Sequence, residues 1–421
     1  MQEKSLWRAT APLLLDMPQL AGEHKVDVAV IGAGFTGLSA ALHLAQKGIS
    51  VAVLEANEIG HGGSGRNVGL VNAGLWLKPA EVIARTGEKT GERLIKFLGE
   101  APAEVFNLVQ KYDMECEAKT NGTLHCAPNV KGVKDLEDRL QQWQDQGAPV
   151  TLLDQSQTTD ALGTDRYKAA LLDKRAGTVQ PLSYACGLAR AAMSHGVKIY
   201  EKSAVLKAEQ TTNGWSLQTE KGKVAAEKVI CATNAYHEHA QANQPPAMSS
   251  LYYFQVATDP LSPNQLARIL KGKQGCWDTN TILTSFRLND EGRFVIGSIG
   301  NLDHMGGAFH INWARRTMAQ LYPELKDKPF THQWYGRIAL TNDHIPRFAN
   351  PMPGWAMVWG YNGRGIAPGT VFGKALAEFV QSNDADDVPL AQAKLKAEAF
   401  TKTQSFFIEL GARGHHFINA R

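Results

Sequence analysis

The run Val26-Asp-Val-Ala-Val-Ile-Gly-Ala-Gly-Phe-Thr-Gly37, followed by Leu38-Ser-Ala-Ala-Leu-His-Leu-Ala-Gln-Lys-Gly48 and Val51-Ala-Val-Leu-Glu55, spells a strand, a glycine turn, a helix and a second strand that ends in an acid. A lone GxGxxG is weak evidence, because glycine turns serve many purely conformational ends. The context gives this one weight. Leu38, Ala41, Leu42 and Ala45 recur at helical spacing and form an apolar face to lay on a sheet, and Gly48 stands where the helix should stop. Gly32 permits the tight turn, Gly34 lets backbone approach a pyrophosphate, and Gly37 lets helix and strand pack closely, so phosphates would rest on the helix N-terminus. Glu55 lies where a carboxylate accepts ribose hydroxyls and repels a 2′-phosphate. The unit reads as a dinucleotide-binding site.

At 421 residues the chain exceeds one comfortable core, which implies two connected domains. A formal net charge of +3 over this length, without a cationic block, argues against nucleic acid as a partner. The five cysteines, Cys116, Cys126, Cys186, Cys231 and Cys276, are scattered and odd in number with no CxxC pair. That pattern speaks against a disulfide framework or zinc site and suits a reducing cytoplasm. His237-Glu-His239 is too tightly spaced for one helical face, and no metal is expected. No signal-peptide core opens the chain, and no stretch approaches the roughly 18 apolar residues of a membrane span. The stretch from Phe406 to Phe417 mixes apolar and cationic residues and reads as a docked terminal helix with a polar tail, peripheral membrane contact being left open.

Nucleotide-domain signals recur at three separated places: residues 26–75, the region from Leu188 to Ile230 with its strand Lys228-Val-Ile-Cys-Ala232, and Trp355–Val380. Between them, Glu117–Ala127 reads as two short strands around an Asn-Gly turn, and Thr281–Gly297 as a hairpin around Asp-Glu-Gly. The expected architecture is α/β: a Rossmann-like cofactor domain (1–95, 177–245 and 340–421) interleaved with a smaller α+β substrate domain (96–176 and 246–339) on a mainly antiparallel sheet.

Directly after Glu55, the segment Ala56 to Gly74 carries a glycine density beyond what a simple loop requires, so backbone must pass close to something. Ser64, Arg66 and Asn67 are the side chains expected nearest the pyrophosphate. The third segment, Met357 to Val380, is a strand, a glycine turn and a helix, and a helix N-terminus there suits the negative charge of a reduced flavin ring.

With these motifs in place, the chain resembles the FAD-dependent amine and amino-acid oxidoreductases typified by D-amino-acid oxidase, sarcosine oxidase and glycine oxidase, and among them most the gamma-glutamylputrescine oxidoreductase group. The resemblance rests on Ser5-Leu-Trp7, the Asp27–Ala45 run, Gly63-Ser-Gly-Arg-Asn67, Val179–Tyr184 leading into Gly187–Ala192, Ala232–Tyr236 and Gly360–Gly365, nearly the whole chain. The loop departs from that group, which more usually has Ala before the serine and Gly in place of Val68. The resemblance implies FAD lying extended across the first domain with its ring facing a pocket roofed by the second. Where sarcosine oxidase-type relatives attach FAD through a cysteine, the stretch Trp334–Asp343 has none, so non-covalent FAD is expected.

The residues expected at the cofactor are Gly32, Gly34, Phe35, Thr36, Gly37, Glu55, Ala56, Gly63, Ser64, Arg66, Asn67, Val68 and Gly69 from the first segment. Val205, Thr233, Asn234, Trp334, Gly336 and Arg337 follow, then Gly360, Tyr361, Asn362, Gly363, Arg364, Gly365 and Ile366. Flavin oxidation of an amine rests mainly on positioning, so no strong side-chain base is required. Aromatic pocket candidates are Trp76, Tyr252, Tyr253, Phe254, Phe286, Trp334 and Tyr361, joined by His304; Arg287, Arg337 and Arg364 are candidates to clamp a carboxylate. Arg364, Tyr361, Trp334, Tyr253 and His304 are the residues expected to carry catalysis.

The expected activity is oxidation of a small amine or amino acid to an imine that hydrolyses, with oxygen as acceptor and peroxide as product, gamma-glutamyl polyamine-type substrates forming a subset. Two alternatives stand beside it: a dehydrogenase of D-amino acids or related substrates that feeds a quinone or carrier, and a flavin-binding protein without turnover. In sarcosine oxidase-type relatives a lysine at the flavin face promotes reaction with oxygen; alignment places that position near Val295, on a strand without lysine. The oligomeric state is left open.

Overall fold

The computed structural model describes residues 5–237, 248–303, 306–395 and 401–418. Val28–Ile31 at the end of strand Gly22–Ile31, and all of strand Val51–Leu54, are apolar and buried on both faces, as parallel strands covered by helices must be. They lie in a sheet ordered Arg347–Met352, Trp355–Trp359, Gly222–Cys231, Gly22–Ile31, Val51–Leu54, Lys198–Tyr200, parallel except at its first pair. Strands Lys207–Thr211 and Gly214–Gln218 extend antiparallel from Gly222–Cys231.

Helix Phe35–Ala45 is buried at every residue except His43, and Gly48, with φ +80°, closes its C-terminal turn. It packs along helix Ile366–Ser382. Gly369 and Gly373 form the contact: a Cβ at Gly373 would collide with the Thr36 carbonyl, and Ser39 Oγ donates to Thr370 O at 2.7 Å. This close crossing places the N-termini of the two helices side by side.

The second sheet is ordered Phe330–Leu340, Ser249–Pro260, Arg293–Ile299, Thr284–Leu288, Gly275–Asp278, Thr123–Ala127, Ala169–Asp173, Val150–Leu153, and only Gly275–Asp278 and Thr123–Ala127 pair in parallel. The Asp-Glu-Gly hairpin forms as expected, Thr284–Leu288 pairing with Arg293–Ile299. The Asn-Gly hairpin does not. Glu117 takes a left-handed conformation (φ 49°) and Lys119 makes one bridge, to Thr178, so Thr123–Ala127 finds its partners at long range. The boundary expected at 95/96 falls inside helix Glu88–Lys111, which packs on helix Ile366–Ser382 beneath the first sheet. Helices Gly307–Leu321 and Thr401–Ile418 pack on each other and on strand Ser249–Pro260.

Candidate active site

A cavity of about 500 Å³ lies between the two sheets, within the range of sites for cofactors and small ligands. Both helix N-termini open into it, and in each the N-cap residue is a glycine with no side chain to offer, Gly34 and Gly365. An uncapped helix start offers partial positive charge and backbone donors to an anion.

Gly32, Gly34, Phe35 and Thr36 line the cavity, as do Glu55, Ala56, Gly63, Ser64, Arg66, Asn67 and Val68. So do Val205, Thr233, Asn234, Gly336, Arg337, Tyr361, Asn362, Gly363, Arg364, Gly365, Ile366 and Tyr253. Gly37 stands one layer back, where a Cβ would collide with the Gly32 carbonyl, so it sets the helix–strand spacing. Gly69 and Gly360 also miss the wall and pack on the Val179 carbonyl and the Thr341 side chain. His304 lies outside the described residues.

Trp334 is a correction. The glycine-rich loop comes between it and the cavity: its indole Nε1–H donates to Arg66 O at 3.0 Å from outside, while Trp7 Nε1–H donates to Asn67 O at 2.8 Å. The two rings meet edge to face, 5.5 Å between centroids, and pin consecutive carbonyls of the loop. Asn67 closes it from within, its amide donating to Gly63 O and Ser64 O and its Oδ1 accepting from Gly69 N–H. Arg287 is a second correction. Fully buried, it donates to Val179 O at 2.6 Å and lies 3.9 Å from Glu117, fastening loop and strand away from the cavity. Along Ser249–Pro260 the period of two sends Leu251, Tyr253 and Gln255 to the cavity and Phe254 and Val256 to the core. Tyr252 and Phe286 likewise stay out of the wall, Phe286 in the core. Val295 is buried in the core and does not reach the cavity.

Glu55 accepts N–H bonds from Ala33 (2.7 Å) and Asn57 (2.9 Å); burial pushes its carboxyl up, and these bonds pull it back down. Ser64 Oγ accepts from Phe35 N–H at 3.0 Å, holding the glycine-rich loop against the first helix. Thr36 Oγ1 and Tyr361 Oη lie 2.8 Å apart and tie the two helix starts together. Tyr253 donates to Gly297 O at 3.0 Å, and burial holds its phenol protonated. Three non-glycine residues in the wall take left-handed conformations, Asn234 (φ 43°), His344 (φ 57°) and Asn362 (φ 52°), the kind of backbone strain that collects at functional sites.

At one end the Arg364 guanidinium lies over Trp76 (5.3 Å) and Trp277 (4.9 Å), whose rings meet edge to face. Its Nη1 donates to Ala73 O at 2.6 Å, and burial pushes the group down to about 9. Arg364 Nε and Trp76 Nε1, and Gln255 Oε1 elsewhere in the wall, are buried without a protein partner, two donors and an acceptor that a bound molecule could satisfy. Trp277, Gln255 and Tyr236 escaped the sequence reading as site residues. Tyr236 stood inside a quoted motif; for Trp277, delivered by the parallel pairing with Thr123–Ala127, no local signal existed.

The arrangement fits FAD. Glu55 can accept ribose hydroxyls, the glycine cradle and first helix can take a pyrophosphate, and the second helix start faces space for a ring system. None of the five cysteines lines the cavity; all are buried and free. Among the described residues no cluster of His, Cys, Asp and Glu could hold a metal ion, and no helix is long and apolar enough to cross a membrane.

Comparison with known proteins agrees with this geometry. A probable oxidoreductase of Haemophilus influenzae is 31% identical over 375 residues, 87% of this chain and 85% of that one. The gamma-glutamylputrescine oxidoreductase of Escherichia coli is 33% identical over 365 residues, 85% and 84% of the two chains. The crystal structure of glycine oxidase from Geobacillus kaustophilus superposes with a TM-score of 0.73 at 21% identity, covering 88% of this chain and all of that one. Residues 27–379, a span that holds both helix starts and the loop between cavity and tryptophans, match the FAD dependent oxidoreductase family known as DAO, and the chain belongs to that family of FAD-dependent enzymes.

Proposed function

We propose that the chain oxidises the C–N bond of a small amino acid or carboxylate-bearing amine, giving an imine that hydrolyses, with oxygen as acceptor and hydrogen peroxide as product. The observation that carries this reading is Arg364: a buried cation between two indoles, with an unpartnered Nε, in the cavity that also receives both helix N-termini. A substrate carboxylate satisfies that group and repays its desolvation. The E. coli relative's name points to a gamma-glutamyl polyamine, which also joins a carboxylate to an amine.

FAD supplies the two-electron acceptor. We assign Glu55 to its ribose, Ser64, Arg66, Asn67 and the start of helix Phe35–Ala45 to its pyrophosphate, and residues Tyr361 to Ile366 to the ring. Arg337, Val205 and Thr233 complete the enclosure. Tyr253, held protonated, and Trp76 orient the substrate and exclude water. Among the described residues of the wall Glu55 is the sole carboxylate, so the amine must shed its proton before it reacts. FAD is held without a covalent bond, and acid precipitation is expected to release the colour into the supernatant; a yellow pellet would contradict this.

A dehydrogenase that feeds a quinone or carrier is the second reading, favoured by one observation: no lysine lines the cavity among the described residues, whose cations there are Arg66, Arg337 and Arg364. The test has two stages. The protein is mixed anaerobically with amines and with D- and L-amino acids, and bleaching of the flavin identifies the substrate; no bleaching by any carboxylate-bearing amine sinks the proposal. The reduced protein then meets air or a quinone analogue in stopped flow. Fast peroxide formation supports the oxidase, while slow reaction with air and fast quinone turnover moves the chain to the dehydrogenases. The reading places the enzyme in the cytoplasm, supported by five free cysteines.

A further inference from the structure

Helix Thr401–Ile418 has two faces. On one, Ala412 and His416 are fully buried, His416 Nδ1 lies 2.7 Å from His310 Nδ1, and Ser405 Oγ accepts from Ser250 N–H at 2.8 Å. On the other stand Phe406, Phe407, Leu410 and Phe417, exposed by 63, 62, 52 and 51%. At 100° per residue these four fall within about 100° of arc, opposite the docked side. Phe309, 45% exposed on helix Gly307–Leu321, lies 6.1 Å from the Phe417 ring and carries the patch onto a second element. The docked terminal helix expected from the sequence thus forms, and its outer face in the described part carries an apolar patch; residues 419–421 lie outside the described residues.

We propose that this face docks on an anionic lipid surface. Two observations select that occupant. Taking each ring at about 200 Å², the patch offers roughly 500 Å², large for a surface without a partner yet short of the ~800 Å² a side buried in stable protein interfaces. Charge is the second. Helix Gly307–Leu321 contains Arg315 and Arg316 and no acid, and the sole carboxylate of helix Thr401–Ile418 is Glu409. Glu409 is turned inward: it accepts from Arg413 Nε (2.8 Å) and Asn301 N–H (3.1 Å) and lies 3.1 Å from His310 Nε2. Arg315 lies on the Phe330 ring and Arg316 bonds the His416 carbonyl, but Arg413, about 20° from Phe406 on the helix, keeps 40% of its side chain exposed. A cation beside aromatic rings, with no outward carboxylate among the described residues of the two helices, suits the boundary of headgroups and acyl chains and repels a second copy of the same face. The inference is independent of the substrate. It does place the helix against strand Ser249–Pro260, whose Leu251, Tyr253 and Gln255 line the cavity.

Flotation of the FAD-loaded protein with vesicles tests this, using phosphatidylcholine alone and phosphatidylcholine with about one third phosphatidylglycerol. Binding to the anionic vesicles is expected to exceed binding to neutral ones about tenfold and to weaken when salt is raised to about 0.5 M. The triple variant Phe406→Ser, Phe407→Ser, Leu410→Ser is expected to keep FAD and activity, since these side chains touch neither core nor cavity, and to lose vesicle binding about tenfold. No flotation of the parent protein, equal binding to neutral vesicles, or a triple variant that binds unchanged would overturn the proposal. So would a dimer in sedimentation velocity that the triple variant abolishes while vesicles stay bare, which assigns the patch to a protein interface.

Discussion

Glu55→Arg is expected to weaken FAD binding by at least about a hundredfold. A charge-assisted hydrogen bond contributes about 1.5–3 kcal/mol, and a buried donor left unmade costs about 1–3 kcal/mol more. The substitution incurs both, because it removes the ribose acceptor and strands the N–H groups of Ala33 and Asn57 that now meet the carboxylate at 2.7 and 2.9 Å. Equilibrium dialysis of FAD against the apoprotein, with far-UV circular dichroism to confirm folding, measures the effect. Glu55→Gln keeps one oxygen acceptor and should fall between the two. A folded arginine variant with parental affinity would remove Glu55 from the ribose.

Arg364→Ala is expected to lower kcat/KM for a carboxylate-bearing substrate about a hundredfold and to change that of the decarboxylated amine less than about threefold, the difference expected of one charge-assisted contact. The pH profile supplies a second readout. The rising limb follows loss of the substrate ammonium proton. A falling limb at high pH is expected beyond it, because burial disfavours the charged guanidinium and the clamp acts through the charge that attracts a carboxylate. In Arg364→Lys the falling limb should move while part of the affinity returns. Equal losses on both substrates would make Arg364 structural, a fastener of the loop through Ala73 O.

The cofactor half of the fold was legible because its signals are local. Turn, apolar helix face and terminal acid fall within thirty residues, and the second helix start at Ile366 repeats the same grammar. What stayed hidden depends on distant partners. Nothing near Trp334 tells that Arg66 will stand in front of it, and nothing near Arg287 that the Val179 carbonyl will claim it. Trp277 reaches the site through a parallel pairing with a strand about 150 residues earlier. Helix Glu88–Lys111 has an apolar stripe that would serve either domain, so the division at 95/96 had no local cue. At the C-terminus the apolar positions were read, but a sequence does not say which apolar face finds a core.

The order of strands in the first sheet has a consequence for how the chain is made. Strand Gly22–Ile31 is made well before its neighbour Gly222–Cys231, about two hundred residues downstream, and Trp355–Trp359 must then align beside that. Parallel pairings at such separation form slowly, since loop closure must be paid before contacts reward it. While those two hundred residues are being made, the most clearly written element of the sequence is thus an open apolar edge, the kind of template on which nascent chains misassociate. Helix Phe35–Ala45 can cover one face of that strand at once, but its edge waits for Gly222–Cys231, and the nucleotide crevice is complete only when helix Ile366–Ser382 has followed.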